Sequence, residues 1–541
     1  MTVSVDFSHQ VLQGEGSSWL VGGESGVGKS RVLDELRSLA LVKGALTLRG
    51  QSVQGSASLP YRLWRDAIRM LAISSEIMEE EAQILKEIVP DIADLLGREV
   101  PDAPVLHGVP GQQRLMLAIA SVFRRQKKPI LLLLEDLQWS VESLEPLKQL
   151  LKFVTEIPLL IVATYRDDER QDLPDILPTM QWIKLNRLTK ADIALLSEAM
   201  LGDIGNNGLV VDLLQRETEG NTFFIIEVVR ALAEDAGTLE NIGVMTLPTS
   251  VVAGGMNAVI ARRLGYVPEA DRELLKVMAV VGRQIDLDVL EAMAGKRDVA
   301  SWLTVCEAAA VLEVYQGKWR FTHDKLREAL LEEISPEEAK RLNARVAGTI
   351  ETVYPDQDDH LLTLAQHWAT ARDPQKAGQY AVGAGEQLLG MSAYEQGHTL
   401  LSRALELLPD GEFLRIRMSI LNLLGEFNSR MGNYPQAIDN YRQGLMLARQ
   451  FGDRSGIAEV LNGLSFVEYL ADDYEQSRLH SEAALMLSQA VRDDKNSARA
   501  LSNLGVVAEM EEDFVIAREF YRQSLMIFRN LEDRRGIASC L

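Results

Sequence analysis

The residues from Gly23 to Ser30 have the types and spacing of a loop that binds phosphate. They read Gly-Glu-Ser-Gly-Val-Gly-Lys-Ser and fit G-x-x-x-x-G-K-[ST] between an apolar run and a helical pattern. Glycines let backbone N–H groups turn towards an anion, and the helix N-terminus adds partial positive charge. Lys29 is expected to reach the β- and γ-phosphates, and Ser30 to bind Mg²⁺. The predicted nucleotide contacts here are Gly23, Glu24, Ser25, Gly26, Val27, Gly28, Lys29, Ser30 and Arg31.

A second acidic element follows in the run from Ile130 to Asp136. Five aliphatic residues, typical of a parallel strand covered on both faces, end in Glu135 and Asp136. We expect this strand to neighbour the strand before the glycine loop, with one acid in the Mg²⁺ shell and the other orienting water. The order, Glu before Asp, inverts the usual one, so the division of roles stays open and binding is better supported than hydrolysis. The predicted metal ligands are Ser30, Glu135 and Asp136.

Arg166 follows the next apolar run, Leu159 to Thr164. A cation at the end of such a strand can sense the γ-phosphate, and the alternative is an ordinary surface arginine. With Arg166 as a sensor, the candidate catalytic residues are Lys29, Glu135, Asp136 and Arg166.

The first part of the chain alternates short apolar runs with helical patterns, which predicts βαβ units around a parallel sheet. Residues 187–260 are mostly helical in pattern. Between 261 and 335, helical segments precede two short strands around Gly317, which indicates a winged helix. The predicted strands are Trp19 to Val21, Ala45 to Arg49, Ile130 to Leu134, Leu159 to Thr164, Val311 to Tyr315 and Lys318 to Phe321.

From about residue 381 the sequence repeats with a period of 40 residues. Each unit holds two apolar stripes at helical spacing around a short polar turn, with small residues where two helices must approach closely. The pattern resembles tetratricopeptide repeats, although their usual period is about 34 residues. A further helical pair is expected from His360 to Ala384. Repeating positions include Leu421, Leu461 and Leu501, then Gly425, Ser465 and Gly505, then Tyr441, Ser481 and Tyr521.

Composition narrows the remaining classes of function. The net charge of −22 disfavours direct binding to nucleic acid. No apolar run is long enough to span a bilayer, and no signal peptide pattern is present, so we expect a cytoplasmic protein without a membrane partner. Cys306 and Cys540 have no metal-ligand spacing. Leu541 lies where the next repeat begins, which suggests a piece of a longer protein.

Four further motifs follow the glycine loop in a fixed order, and the set resembles the STAND class, signal-transduction ATPases with numerous domains. The similarity is greatest to AAA-type modules of large LuxR-like regulators and multidomain kinases or cyclases. The resemblance implies a multidomain α/β and all-α fold: a P-loop NTPase core (1–186), a helical lid (187–260), a winged helix (261–335) and tetratricopeptide-like repeats (336–541). The motifs are Glu135 to Trp139, Ala163 to Arg166, Gly220 to Phe224 and Phe321 to Asp324.

The resemblance also implies roles for two residues. The histidine of the winged helix contacts the β-phosphate of ADP in this class, and His323 matches that position. The residue after Gly-Asn is usually a proline near the adenine, whereas here it is Thr222. An adenine-covering pattern of the class is missing from Met1 to Gly16, so the N-terminus is expected to be truncated too.

Three functions remain open at this point. The first is a switch operated by ADP, ATP and Mg²⁺, a slow ATPase whose repeats bind a protein or small-molecule effector. It would self-associate with ATP and control an output domain absent from this chain. The second is a scaffold that binds nucleotide without hydrolysing it. The third, disfavoured by the repeats, is a P-loop kinase acting on a small molecule.

Overall fold

The protein is described by a computed structural model that covers residues 14–52, 60–103, 109–140, 143–236, 256–315 and 317–540. It forms two compact units. The first comprises Met1–Val53, Gln126–Ser140 and Leu151–Asp356, and the second comprises Gln54–Arg125, Val141–Leu150 and Gln357–Leu541. Among the described helices, none has the length and apolar character that a membrane crossing requires.

The strands and α-helices up to residue 184 belong to the predicted βαβ region. In chain order they are β1 (Ser17–Gly22), α1 (Lys29–Val42), β2 (Leu46–Gln51), α2 (Arg62–Ser74), α3 (Glu79–Leu85), α4 (Ile92–Leu96), α5 (Val109–Arg124), β3 (Ile130–Glu135), α6 (Leu144–Leu151), β4 (Leu159–Tyr165), α7 (Leu173–Ile176) and β5 (Gln181–Lys184).

The elements up to residue 353 include the predicted lid and winged-helix regions. They are α8 (Lys190–Leu201), α9 (Gly208–Thr218), α10 (Thr222–Ala236), α11 (Met256–Tyr266), α12 (Glu269–Val281), α13 (Leu287–Ala294), α14 (Val299–Ala308), β6 (Leu312–Tyr315), β7 (Lys318–Phe321), α15 (Asp324–Glu332) and α16 (Pro336–Val353).

The remaining elements are helices joined by short turns. They are α17 (Leu361–Thr370), α18 (Pro374–Gly390), α19 (Tyr394–Leu407), α20 (Leu414–Arg430), α21 (Tyr434–Phe451), α22 (Arg454–Leu470), α23 (Tyr474–Val491), α24 (Asp494–Met510), α25 (Phe514–Asn530) and α26 (Arg534–Ser539).

Strands β1 to β5 form one parallel sheet in the order β2-β3-β4-β1-β5. Helix α1 packs Leu33, Leu36 and Ala40 against one face of the sheet, where they meet apolar side chains of β1, β3 and β4. The expectation that the acidic strand neighbours the strand before the glycine loop is wrong, because β4 lies between β3 and β1. The carboxyl end of β4, with Thr164 and Arg166, therefore lies between the glycine loop and the two acids.

The predicted strand pair around Gly317 is present. Strands β6 and β7 are antiparallel, with Leu312 opposite Phe321. Helices α12, α13 and α14 precede the pair and α15 follows it. The backbone N–H of Phe321 donates to the carbonyl of Arg283, so the turn after α12 is bound to the edge of β7. The α/β core and the winged-helix arrangement agree with the fold class expected from sequence.

The helices of the repeat region begin at a constant interval. From Pro374 to Arg534, each helix starts 20 residues after the previous one, so two helices make the 40-residue period. Helices α20 to α25 are 17 or 18 residues long, which explains a period longer than that of ordinary tetratricopeptide repeats. The pair expected from His360 to Ala384 is present as α17 and α18.

The small residues of the repeats lie where two helices touch. A Cβ on Gly425 would lie 2.8 Å from the ring of Tyr441, and a Cβ on Gly505 would lie 2.8 Å from the ring of Tyr521. In the middle repeat the equivalent pair is Ser465 and Ser481, whose hydroxyls are 2.5 Å apart. In two repeats the glycine thus makes room for the tyrosine ring. In the middle repeat both positions are serine, and their hydroxyls contact each other instead.

Candidate functional site

The glycine loop connects β1 to α1 in a conformation that only glycine adopts easily. Gly26 and Gly28 have φ of 86° and 105°, in the left-handed region. A Cβ on Gly26 would lie 2.7 Å from Asn221 Oδ1, whereas a Cβ on Gly28 would meet nothing within 4 Å. Gly26 is therefore required by packing, and the open space beside Gly28 leaves the backbone free to approach a ligand.

Lys29 is the first residue of α1 and turns its ammonium group back into the loop. Nζ donates to the carbonyl oxygens of Gly23 and Glu24 at 2.6 and 2.8 Å. Burial, assisted by the charge of Arg166 and opposed by that of Asp136, lowers the pKa of Lys29 to about 8. A half-desolvated ammonium group at a helix N-terminus beside open backbone is the donor set that a phosphate group fits.

Ser30 and Arg31, the last two members of the predicted loop set, lie on the exposed side of α1. Ser30 is exposed, and its position at the helix start agrees with a metal-binding hydroxyl. Arg31 pairs with Glu35 one turn later at 2.5 Å, and both side chains are largely exposed. The carboxylate of Glu24 pairs with Arg187 at 2.8 Å. Arg31 and Glu24 therefore have protein partners of their own.

The segment from Gly220 to Phe224, here called the lid motif, holds the loop from the other side. Asn221 Nδ2, the Phe223 N–H and Thr222 Oγ1 donate to the carbonyl oxygens of residues 25, 26 and 27 at 3.0, 3.0 and 3.3 Å. Three consecutive loop carbonyls are thus satisfied by the lid motif. Thr222, expected near the adenine, uses its hydroxyl to fix the loop.

Glu135 ends β3 with a buried side chain. Its carboxylate forms an ion pair with Arg49 of the neighbouring strand β2. Burial raises the pKa of Glu135, and Arg49 opposes that shift only in part. Arg49 contacts one carboxylate oxygen, Oε1, and so positions Glu135 from β2.

Asp136 has its backbone in the left-handed region, at φ 57°, at the point where the chain leaves the strand. This turn brings Asp136 Oδ2 within 3.1 Å of Gln51 Nε2 and 3.5 Å of Arg283 Nη1. The Asp136 N–H donates to Thr164 Oγ1 at 3.4 Å. Asp136, whose charge acts on Lys29, is the acid that the structure brings towards the loop.

Arg166 is buried and is not the surface arginine considered above. Its guanidinium pairs with Asp324, and with Glu169 at 2.7 Å. It also lies 4.9 Å from the ring centre of Trp139. Asp324, the first residue of α15, thus binds Arg166, which directly follows β4. Arg283 and Arg166 outweigh the effect of burial and lower the pKa of Asp324, which keeps the carboxylate charged.

His323 lies between the winged-helix region and the lid motif. Its ring stacks on Phe223, with centroids 4.0 Å apart and an interplanar angle of 22°. Nδ1 accepts a hydrogen bond from the Lys325 N–H at 3.2 Å and so caps α15. Burial lowers the pKa of His323 to about 3, partly opposed by Asp324, so the imidazole is neutral near pH 7.

Comparison with known proteins agrees with this geometry. Residues 5–162 match the family model of the AAA ATPase domain. Residues 416–485 and 456–530 match the model of the tetratricopeptide repeat. The chain contains an AAA ATPase domain and tetratricopeptide repeats. Both parts were expected from the sequence and are confirmed.

The proteins similar to this chain are distant in sequence. An uncharacterised protein of Rhizobium meliloti (strain 1021) is 23% identical over 436 residues, which cover 73% of this chain and 41% of that protein. The chain therefore spans about two fifths of the length of this curated relative.

Two solved structures from archaea are also similar. One is a STAND protein with a tetratricopeptide repeat sensor from Pyrococcus horikoshii, with a TM-score of 0.41 and 12% identity over 100% of this chain and 84% of that one. The other is a Walker-type ATPase of Pyrococcus abyssi, with a TM-score of 0.28 and 11% identity over 61% and 95%.

Four residues around the glycine loop and the two acids were not among the candidates from sequence. Asn221 and Phe223 lie inside a motif that was noticed, but only their contacts with the loop and His323 indicate a role. Arg49 could have been noticed in the sequence, because an arginine in a predicted strand with apolar residues needs a charged or polar partner. Arg283 gave no such signal, since it reaches Asp136 across 147 residues of chain.

Proposed function

We propose that the chain is a STAND-type switch operated by ADP and ATP, in which the winged-helix segment, residues 261–335, closes the nucleotide site. The observation that supports this most directly is that His323 and Asp324, consecutive residues, contact Phe223 of the lid motif and Arg166 of the AAA domain. One short segment thereby contacts both the lid motif, which is hydrogen-bonded to the glycine loop, and the arginine that follows β4. Loss of these contacts would open the site.

The chemistry assigned to the chain's own residues is binding and orientation. Lys29 and the N–H groups of the glycine loop would hold the β- and γ-phosphates, and Ser30 and Asp136 would hold Mg²⁺. Bound Mg²⁺ neutralises charge that develops on the phosphate oxygens. Arg166 would sense the γ-phosphate after leaving Asp324. His323, neutral near pH 7, would contact the β-phosphate of ADP.

Such a device works only if the nucleotides differ in affinity for the closed and open forms. In the closed form Arg166 is bound by Asp324, so a γ-phosphate must compete with a buried carboxylate for it. ADP has no γ-phosphate and leaves this ion pair intact. We therefore assign ADP to the closed, resting form and ATP to the open form, which would self-associate. Slow hydrolysis would reset the switch.

The domain plan of the proposal is the one expected from sequence: AAA core 1–186, lid 187–260, winged helix 261–335 and repeats 336–541. Repeat arrays offer a long concave surface for partners. We assign the sensing of a protein or small-molecule effector to this array, in a cytoplasmic protein. The regulated output domain would lie outside these residues.

A second candidate is a scaffold that binds nucleotide and does not hydrolyse it. The observation that favours it is the buried ion pair between Glu135 and Arg49, because a carboxylate neutralised by an arginine is a weaker base. Asp136 alone would then hold Mg²⁺, and no carboxylate would be left as a base. Undiminished ATP binding without phosphate release would select this candidate.

The deciding experiment identifies the nucleotide that the protein carries. The chain is purified without added nucleotide and denatured, and the supernatant is analysed by chromatography, with Lys29→Ala and His323→Ala in parallel. Stoichiometric ADP in the wild type that is lost from both variants supports the switch. A wild type that is empty and binds ADP and ATP with equal affinity contradicts it.

A further inference from the structure

Four charged side chains form an alternating chain of carboxylates and guanidinium groups in the AAA domain and the winged-helix segment. Arg283 Nη1 lies 3.5 Å from Asp136 Oδ2, and Arg283 Nε lies 3.0 Å from Asp324 Oδ1. Asp324 pairs in turn with Arg166. The four side chains are between 5% and 20% exposed, so solvent screens their interactions only in part.

The backbone of Arg283 is fixed by the wing. Its carbonyl accepts the Phe321 N–H at 3.1 Å, and the next residue, Gln284, forms a β-bridge with Arg320. The guanidinium therefore reaches Asp136 only while the winged-helix segment stays docked. Displacement of that segment would remove a positive charge from the acid of the nucleotide site.

The wing also touches the arginine that holds the other acid. The ring of Tyr315, at the end of β6, lies 5.2 Å from the guanidinium of Arg49, which pairs with Glu135. Tyr315 OH lies 3.4 Å from Asp34 of α1. Both carboxylates at the end of β3 thus have an arginine partner, and each arginine contacts or belongs to the winged-helix segment.

We propose that Arg283 controls Mg²⁺ binding at Asp136. In the resting form Arg283 balances the charge of Asp136, and in the ATP-bound form Mg²⁺ would balance it. The winged-helix segment, which carries Arg283, thereby determines whether Mg²⁺ can bind. The inference rests on the proposed switch and adds the residue that couples its two halves. Arg283 is a positioning residue, because it acts through Asp136. Mg²⁺ at Asp136 would be repelled by the guanidinium of Arg283, so it should bind there more weakly while Arg283 is in place than after Arg283 has been removed.

The alternating order of charges gives the coupling a direction. When Arg166 leaves Asp324 for a γ-phosphate, the carboxylate of Asp324 loses one of its two cations. Arg283 is then the nearest remaining guanidinium and is drawn towards Asp324, away from Asp136. Freed in this way, Asp136 becomes available to Mg²⁺ at the moment when a γ-phosphate is present.

The test compares how Mg²⁺ changes nucleotide affinity. Binding of a fluorescent ADP analogue is titrated in excess Mg²⁺ and in EDTA, and the ratio of the two dissociation constants is the readout. In the wild type the ratio is expected to stay within about twofold, and in Arg283→Gln it should rise roughly five- to tenfold, the size of an ordinary coupling between sites. The double variant Arg283→Gln with Asp136→Asn should lose that gain.

Arg297→Gln is the matched control. Arg297 belongs to the same segment and lies 3.9 Å from Asp271, so its removal deletes an arginine–aspartate contact outside the alternating chain. Its Mg²⁺ ratio should equal that of the wild type. An equal rise in Arg297→Gln, or no rise in Arg283→Gln, would overturn the proposal.

The wild type alone supplies a test that does not depend on the folding of any variant. A wild-type ratio of about tenfold or more would show that Asp136 is already free for Mg²⁺ beside ADP and would overturn the inference. If ADP binds but the ratios of the dissociation constants differ from those expected, the assignment of Arg283 is wrong and the proposed switch is unaffected. If the wild type binds neither ADP nor ATP, the proposed function itself fails.

Discussion

The imidazole of His323 lies almost flat on the ring of Phe223, with centroids 4.0 Å apart. Phe223 donates its backbone N–H to Gly26 in the glycine loop, so a single residue joins the loop to the winged-helix segment. A displacement of His323 can therefore alter the conformation of the loop through Phe223 alone, even when no nucleotide is bound. In the proposed switch, this stack would contribute to the stability of the closed form.

Removing the stack should loosen the site without removing the charges in it. An aromatic pair contributes about 0.5–1.5 kcal/mol beyond its buried area, which corresponds to roughly 2- to 12-fold in an equilibrium. Phe223→Ala is expected to speed release of a fluorescent ADP analogue by at least that factor, measured by stopped flow. Phe223→Leu, which keeps apolar volume and loses the stack, should fall between wild type and Phe223→Ala. Equal release rates in all three proteins would contradict this role.

Protonation of His323 should destabilise the folded chain in acid. Burial lowers its pKa from 6.5 to about 3, so between these values the unfolded chain binds a proton that the native chain does not. The stability from neutral His323 is complete above about pH 6.5 and is lost as the pH falls towards 3, at up to about 1.4 kcal/mol per pH unit.

The measurement is urea unfolding at pH 7 and pH 5, with His323→Gln compared with the wild type. The variant should lose less stability on acidification. His367 in the second unit is the natural control, because burial also lowers its pKa, to about 4. His367→Gln should affect acid stability as well but leave ADP release unchanged. Identical acid sensitivity of His323→Gln and wild type would refute the assignment.

Lys29 should make nucleotide binding depend on pH in the alkaline range. Its pKa in the free site is lowered to about 8, chiefly by burial, whereas a bound phosphate would favour the charged form. Below pH 8 the ammonium is charged in both states, and affinity should be nearly constant. Above pH 8 binding must take up a proton, so affinity should fall by up to about tenfold per pH unit.

Titration of ADP between pH 7 and pH 9.5 measures this dependence. Lys29→Arg keeps a charge that does not titrate in the range, so any remaining affinity should be flat with pH. Lys29→Ala should bind weakly at every pH. A wild type whose affinity does not change up to pH 9.5 would contradict the prediction, and weak binding by Lys29→Ala would then show that the lowered pKa is wrong and the phosphate contact is not.

The sequence predicted those parts of the fold that have a local signal. Helix α1 (Lys29–Val42) is the helical pattern expected after the glycine loop, and β7 spans the predicted Lys318 to Phe321, because apolar spacing and turn residues mark these elements. Strand β5 (Gln181–Lys184) was missed, since it is a four-residue edge strand with mostly exposed side chains. The position of β4 between β3 and β1 was also missed, because strand order leaves no mark in a local pattern.

The glycine loop lies between a strand and a helix, as expected from the sequence, whereas the ion pairs around it were not expected. Types and spacing identify Lys29 and Asp136, and the structure brings them together. The pairing of Arg166 with Asp324 was not predictable, since 158 residues separate the two in the chain. The position of Arg49 in its strand indicates that it needs a partner, but not that the partner is Glu135. Roles of the predicted site residues in binding and hydrolysis stay predictions until nucleotide is measured.

The repeats offer a test of how the small residues specify helix packing. Replacing Ser481 with tyrosine in the middle repeat puts a ring against Ser465, which lies where the other repeats have glycine. Overpacking of this kind costs about 1–3 kcal/mol. Ser465→Gly alone removes a hydroxyl that contacts Ser477 and Ser481 and is also destabilising.

The double variant Ser465→Gly with Ser481→Tyr recreates the pair that Gly425 and Tyr441 form 40 residues earlier. The clash with position 465 is then relieved, and the coupling energy of the pair should be favourable by about 1–2 kcal/mol in a double-mutant cycle. Tyr441 also packs against Gly463, whose counterpart 40 residues later is Asn503, so the double variant is expected to stay less stable than the wild type. Thermal unfolding of the full chain, followed by circular dichroism, measures the four proteins of the cycle. Additive effects would mean that the tyrosine ring does not pack against residue 465. The glycine–tyrosine pairing would then not determine how these helices pack.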